Sequence, residues 1–516
     1  MSNLLCCPHN IVRLHASDMR SSVRYAAFIA LSIGAAVAAI ACINVLRLGS
    51  RQIVVAPISP PPVDERRAAE HLSSAVRFET ISQDLAPEVD RGEFLRFHTF
   101  LKEAFPHVHA ILTREVVNGY SLLYAWTGED PTAKPIVLMA HQDVVPIAPG
   151  SERQWHAGPF SGEIKDGYVW GRGAWDDKGN LMAILEAVES LAAAGFKPRR
   201  TIYLAFGHDE ENGGAEGANA IASLFKLRGV RPEFVLDEGL LVAEGIMPGL
   251  DPPVALIGIA EKGSATLKLT TTAPPGHSSM PGSRTAIGSL AMALERVEHA
   301  PYPAVVGGVA GDMLRVMAPE MHVVNRLALS NLWLLEPLVR RQLAAAPSTD
   351  ALLRTTTAIT IIRGGNKENV LPETAEAWVN FRLLPGDTVR GVVEHVRHAI
   401  DDERVGIEVL PQSSEASPVA SQTSDGYGLI SRTVRELFPG VVVAPGLMIG
   451  GTDSRHMTGV AENVYRFSPV RARAEDLSRF HGTDERISVD NYVEMIRFYR
   501  TLIHHAAGAA APRAPP

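Results

Sequence analysis

Four short stretches of this chain carry side chains that could bind a metal or move a proton. His141 and Asp143 stand in H-Q-D, and Asp176 and Asp177 in G-R-G-A-W-D-D-K-G. Glu210 and Glu211 are neighbours in G-H-D-E-E-N-G-G, and Asp237 lies in L-D-E-G. Carboxylates gathered in one crevice repel unless they are protonated or neutralised. Two divalent cations would neutralise them, since Asp176, Glu211 and Asp237 together with one bridging hydroxide balance that charge. Nitrogen and oxygen donors without sulfur suit zinc, with manganese or cobalt as alternatives. Asp143, two residues after His141, is placed to accept the second imidazole N–H and fix its tautomer. Glu210 shares a metal poorly with its neighbour and is better used as the base that takes a proton from water. Singly, each signal has a plainer reading: a satisfied polar pair, a solvated turn, a surface acidic pair, a helix cap. Their order along the chain argues for one site.

The elements that would position them are legible. Pro135–Ala140, Thr201–Phe206 and Phe234–Leu236 are short apolar runs, and a polar cluster follows each. Between the first two, Asn180–Ala194 has helical apolar spacing and stops at Gly195. Apolar runs alternating with helices predict an α/β domain with a central, mainly parallel sheet. Ligands in such sheets bind beyond the carboxyl ends of the strands, where these clusters fall.

Composition narrows the function classes. The chain has 516 residues, with 49 Lys+Arg against 57 Asp+Glu and a net charge of −8, so no basic excess points to nucleic acid. Cys6, Cys7 and Cys42 are the three cysteines, which excludes a disulfide scaffold or a cysteine-held metal in the body. Ala26–Val45 is a run of twenty residues without a charge, long enough to cross a bilayer as a helix over about residues 26–45. A signal anchor with the catalytic body outside the cytoplasm is one reading. A cleaved signal peptide starting at Met19, leaving a secreted or periplasmic body, is the other. The expected organisation is an N-terminal segment over 1–50, a proline-rich linker over 51–64, and a catalytic domain in two parts, 65–262 and 411–505. Residues 263–410 form an inserted lid, and 506–516 a disordered tail. Within the insert, strands over 265–272, 353–362, 375–382 and 405–409 and helices over 286–298 and 388–401 follow the ferredoxin-like order. The apolar stretch 308–348 could line an acyl pocket or serve as core.

These motifs, together with G-H-S-S-M-P from Gly276, G-G-T-D-S-R-H from Gly450 and F-H-G-T-D-E-R-I from Phe480, resemble the di-zinc metallopeptidases that include aminoacylase and carboxypeptidase S. The insert, with N-V-L-P-E-T-A-E-A-W-V-N-F-R-L-L-P-G from Asn369, is most similar to the N-fatty-acyl-amino-acid synthase/hydrolase branch and to carboxypeptidase S. The resemblance implies a zinc-peptidase-like catalytic domain with two Zn2+ and a ferredoxin-like lid that also dimerises. His141, Asp176 and Asp237 would be ligands, with Asp176 bridging both metals beside a cis peptide; Glu211 and His481 would complete the other shell. Glu210 would be the general base, and His277 would bind the carbonyl oxyanion, from its own chain or from a second copy. Asn369 and Arg382 would hold the substrate carboxylate, joined by backbone donors around Gly451 and Thr452. The implied reaction is hydrolysis, reversible in principle, of an amide beside a free carboxylate, in N-acyl or N-fatty-acyl amino acids. Carboxypeptidase S-like cleavage of small peptides is the alternative. An inactive membrane-tethered binding protein is disfavoured because every ligand and the base are present.

Overall fold

The computed structural model describes residues 14–82 and 90–508. At its centre is an eight-stranded sheet in the order Thr113–Val117, Ser121–Trp126, Ile202–Gly207, Ile136–His141, Phe234–Ala243, Val464–Ala472, Val254–Glu261 and Val442–Met448. The block from Ile202–Gly207 to Val464–Ala472 is parallel. Ser121–Trp126 joins it antiparallel on one side, and Val254–Glu261 lies antiparallel to Val464–Ala472 on the other. The sheet is therefore mixed, which corrects the mainly parallel reading. The cause is local: Phe234–Ala243 and Val254–Glu261 follow one another through a short connection and meet antiparallel at Val242 and Ala255. Apolar runs alone do not reveal strand direction.

Every residue of Ile136–His141 is buried. Ile136, Leu138 and Ala140 join the core beneath the helices Lys178–Ala193 and Val489–Ala507. Val137 and Met139 face the opposite cluster, under Ala218–Arg228. This period of two with apolar residues on both faces is what a covered strand requires. Each such side chain contributes roughly 1.5–3 kcal/mol by its burial. The last helix continues to Ala507, with Ala506 and Ala507 buried, so it overruns the expected start of the tail. Residues 509–516, like Cys6 and Cys7, lie outside the described residues.

A second sheet of four strands runs in the order Thr356–Gly364, Thr374–Leu383, Gly263–Thr272 and Gly406–Val409, all antiparallel. The helices Ala286–Glu298 and Val389–Ile400 pack on it around Leu267, Leu290, Val379 and Val396. Thr285 and Thr388 cap these helices by accepting from the amides of Gly288 and Gly391. Four helices between Gly308 and Leu353 form a separate insert. Met313, Leu314 and Met317 from it pack on Val442 and Ala444 of the sheet edge, so this part of the stretch is core.

The N-terminal helix spans Leu14–Arg47, longer than the apolar run itself. The proline-rich residues after it have no helix or strand, yet they are pinned to the body. Gln52 exchanges two hydrogen bonds with the main chain of Val443, at 2.8 and 3.0 Å, and Arg497 and Arg500 donate to the carbonyls of Pro61 and Pro62.

Candidate metal centre and active-site cleft

His141 is the last residue of its strand. Its Nδ1 lies 2.9 Å from the main-chain oxygen of Asp143, and a carbonyl can only accept, so Nδ1 carries the proton. Nε2 is left with its lone pair 3.1 Å from Asp176 Oδ1, a distance two acceptors hold only with a proton or a cation between them. The Asp143 carboxylate stands 3.4 Å from Nδ1, farther than its own carbonyl. Fully buried, that carboxylate accepts from the amides of Glu210 and Glu211, at 3.2 and 3.1 Å, and from the hydroxyl of Ser82. Asp143 thus ties the strand end to the turn that carries both glutamates.

Asp176 sits in the loop before Lys178–Ala193, and its peptide bond to Asp177 is cis. The loop is held by Glu485, wholly buried, whose Oε1 accepts from the amides of Gly173, Trp175 and Asp176 at 2.9–3.0 Å. Glu485 Oε2 pairs with Arg172 Nη1 at 2.6 Å, and Arg172 Nη2 donates to the carbonyl of His481 at 3.1 Å. One ion pair therefore positions two distant segments. His481, at φ 56° in the left-handed region, stacks on Phe480 and points Nε2 at Asp176 Oδ2, 2.7 Å away, with Glu211 Oε1 at 3.4 Å. Asp237 Oδ2 accepts from the amide of Ser454 at 2.7 Å.

The residues present fit divalent cations. Potential ligand atoms of His141, Asp176 and Glu211 lie within 4.8 Å of one another. Asp237 Oδ1 is buried without a hydrogen-bond partner, a costly state for a carboxylate unless a cation meets it, and Glu211 Oε1 has only the His481 ring, at 3.4 Å. Electrostatics agree. Burial raises the Glu210 carboxyl well above the ordinary range, reinforced by Asp453, Glu211 and Asp176, and burial likewise raises Glu211. His481 is pushed up to about 10, first by its bond to Asp176 and then by Glu211. Burial would raise Asp176 too, but the neighbouring imidazoles of His141 and His481 outweigh it and hold that carboxyl low. The crevice holds more negative charge than its imidazoles offset, and positive charge must enter with protons or metal ions.

A cleft of about 970 Å³ opens over this group, lined by His141, Asp176, Glu210, Glu211 and His481. Arg382, Gly451 and Thr452 line the same cleft. Arg382 sits at the near end of the second sheet, opposite Ser264. Thr452 is buried; its hydroxyl donates to Glu261 at 3.0 Å and bonds Ser454, so the side chain braces the loop. Arg455, which the sequence reading passed over, also lines the cleft and lies across Gly451, where a Cβ would stand 2.9 Å from Nη1. Burial and the charge of Arg455 both lower the Arg382 pKa. Neither guanidinium has an ion-pair partner among the described residues, and the pair forms a ready seat for a carboxylate.

His277 and Asn369 are not brought to this cleft. His277 is exposed in a two-residue strand, Gly276–His277, paired with Val370–Leu371, and the Ser278 amide donates to the Asn369 carbonyl at 3.1 Å. They lie beyond the far end of Gly263–Thr272, whose near end carries Ser264 at the cleft, and the eight steps from Ser264 to Thr272 span roughly 26 Å. His456 accepts no role as a ligand either; its Nε2 sits 2.9 Å from the Gly213 carbonyl. Nothing from 308–348 lines the cleft. Arg455 and Glu485 each stand in a motif already singled out, G-G-T-D-S-R-H and F-H-G-T-D-E-R-I, but only folding shows which way they face.

Comparison with known proteins places this geometry. Residues 137–505 match peptidase family M20/M25/M40. A probable carboxypeptidase S-like 2 of Dictyostelium discoideum is 44% identical over 471 residues, 89% of this chain and 90% of that protein. The N-fatty-acyl-amino acid synthase/hydrolase PM20D1 of Homo sapiens is 40% identical over 452 residues, 86% of this chain and 88% of that protein. Among solved structures, an M20 family metallo-carboxypeptidase from Sulfolobus solfataricus superposes with a TM-score of 0.62 at 18% identity, covering 86% of this chain and 99% of the other. Matched in sequence over most of its length and in the α/β architecture of its mixed central sheet, this chain belongs to peptidase family M20/M25/M40.

Proposed function

We propose that this hydrolase cleaves the amide of N-acyl amino acids, N-fatty-acyl amino acids among them, beside a free carboxylate. The observation that carries the reading is the pairing, in one cleft, of a buried acidic metal centre with the guanidiniums of Arg382 and Arg455. In this reading His141, Asp176, Asp237, Glu211 and His481 would hold two zinc ions, manganese or cobalt serving as substitutes. The metals, when bound, polarise the scissile carbonyl and lower the pKa of water. Glu210 takes the proton from the attacking water and delivers it to the leaving nitrogen. Arg382, Arg455 and the Gly451 loop orient the substrate through its carboxylate. Asp143 holds the imidazole of His141 and the glutamate turn in register.

The second sheet, with its strand–helix–strand–strand–helix–strand order, is a ferredoxin-like lid over about 263–410 in this proposal, set between catalytic segments 65–262 and 411–505. Because His277 and Asn369 stand at its far end, they serve the cleft of a second copy in a homodimer. The uncharged run 26–45 of the N-terminal helix is a signal anchor that leaves the body outside the cytoplasm, with Arg13, Arg20 and Arg24 before it against Arg47 and Arg51 after it. The 40% identity to a fatty-acyl-amino acid enzyme supports the lipidated substrate, and the 44% identity to a carboxypeptidase S-like protein supports the competing reading. Hydrolysis of N-oleoyl-phenylalanine and of Gly-Phe by the full chain, each with zinc and with chelator, separates them. Chelator-sensitive cleavage of the acyl substrate in preference to the dipeptide is expected. The reverse preference would make this a tethered carboxypeptidase and overturn the substrate assignment.

A further inference from the structure

Two helices of the insert, Val323–Ser330 and Leu332–Leu343, bury little of their own apolar surface. Val323, Val324, Leu327, Trp333, Leu334 and Leu338 are exposed, the first two at 76%. In a water-soluble body such a patch marks a surface that something else covers. What lies beside it is the N-terminal helix. Val37, Ala41, Asn44, Val45 and Leu48 are the partly covered residues at that helix's end, and their spacing is one helical face. Asn44 Nδ2 donates to Asn331 Oδ1 at 2.9 Å, and Asn331, itself fully buried, donates to the carbonyl of Ala41 at 3.2 Å. Arg326 donates to the carbonyls of Val45 and Leu48. The polar groups of the insert thus cap the helix end, while its apolar side chains remain uncovered next to it.

Length decides what covers them. The apolar helix runs from Arg24 to Arg47. Its part ahead of Ala41 is exposed apart from Val37 and reaches roughly 25 Å, short of a hydrocarbon core of about 30 Å. Spanning the bilayer draws at least the next turn inside, and Asn44 and Val45 of that stretch are bonded to Asn331 and Arg326. Hence the insert must come down to the membrane surface with the helix. Trp333, whose Nε1 donates to Asn331 Oδ1 at 3.2 Å, has the amphipathic ring favoured at that level, and Arg47 and Arg51 lie close by along the chain for lipid phosphates.

We propose that the exposed apolar face of residues 323–338 is a membrane-docking surface that seats the catalytic body in the interfacial layer of the bilayer its own N-terminal helix spans. The occupant is the lipid bilayer itself, because the patch is continuous with the helix. The proposal rests on the signal-anchor reading given above. It places the body at the phase where an N-fatty-acyl amino acid partitions, independently of which substrate is cleaved.

The test uses the full chain reconstituted in phosphatidylcholine vesicles. Alkaline extraction reports the anchor, and quenching by lipids brominated on the acyl chain reports the patch, read as the difference between the wild type and Trp333→Phe. The chain should stay with the vesicles, and the wild type should be quenched more than Trp333→Phe. In a V324E/L338E background, fully active on a soluble N-acyl substrate, that difference should fall by at least half. Equal quenching of wild type and W333F, with the chain still embedded, overturns docking and leaves the anchor standing. Release of the chain by alkali overturns the anchor reading and docking with it. An unquenched Trp333 accompanied by two copies per nanodisc assigns the patch to a second chain and equally overturns the proposal.

Discussion

Replacing Glu485 with glutamine tests how the metal centre is built. The carboxylate accepts three main-chain N–H groups from the Asp176 loop and pairs with Arg172, which itself holds the His481 carbonyl. Both partners are buried, Glu485 at 0% and Arg172 at 2% exposure. Glutamine retains one oxygen for the amides but presents an N–H, or at best a neutral oxygen, to a guanidinium that has no water to turn to. Breaking one side of a buried pair costs about 3–5 kcal/mol. At the ~2 °C per kcal/mol of a large body, the melting temperature falls by roughly 6–10 °C. Because Asp176 and His481 both depend on this pair, zinc affinity should also drop about 10–100-fold, as for other groups that orient ligands. Arg172→Met should be milder, since burial already raises the Glu485 carboxyl and it can take up a proton. Differential scanning fluorimetry and zinc titration of purified Glu485→Gln measure both effects. A melting temperature within 2 °C of wild type, with unchanged zinc affinity, would refute the reasoning.

Other expectations are as direct. Glu210→Gln should retain its metals and lose about 10²–10⁴-fold in kcat, and normal turnover would remove Glu210 as the base. Arg455→Ala should raise KM at least about tenfold for substrates with a free carboxylate, the loss of a charge-assisted bond, and leave a carboxamide analogue unaffected; equal effects on both would dismiss the carboxylate seat. If His277 serves a second copy, equal mixing of inactive Glu210→Gln and His277→Ala chains should restore about a quarter of wild-type activity, one intact site in each mixed dimer. No recovery after subunit exchange would confine His277 to its own chain. Lys262 is held at about 8 by burial, then by Arg382, against an ordinary value of 10.5. Between those values the unfolded chain binds more protons, so this group's contribution to stability rises with pH, by at most about 3 kcal/mol, and is lost as pH falls through 8. Melting curves from pH 7 to 10 should flatten in Lys262→Met, and an unchanged slope would contradict the assignment.

Much of the fold was legible because periodicity is a local property. Strands read at 265–272 and 375–382 and helices at 286–298 and 388–401 appear as Gly263–Thr272, Thr374–Leu383, Ala286–Glu298 and Val389–Ile400. Strand direction was not legible: the antiparallel contact of Val242 with Ala255 follows from how a connection turns. The convergence of His141 and Glu211 could be anticipated from their strand ends, and that of Asp176 from its place after a Gly-Arg-Gly turn, but the interior wiring could not. Asp143 turns out to grip His141 through its main chain while its carboxylate holds the glutamate turn. Arg455 and Glu485 escaped notice because a charged residue in a loop motif shows its direction only after folding. The resemblance left open whether His277 serves its own chain or a second copy, and the length of a single strand keeps it and Asn369 away from this cleft.

We propose that His141, Asp176, Asp237, Glu211 and His481 together hold two metals that hydrolysis requires. Stripping the full chain with chelator and returning zinc in measured equivalents, while following cleavage of N-oleoyl-phenylalanine, tests it most directly. Activity should vanish without metal and climb to a plateau at two zinc ions per chain, with Asp176→Ala unable to respond. Turnover that survives complete removal of metal, or that Asp176→Ala recovers in full, would contradict it.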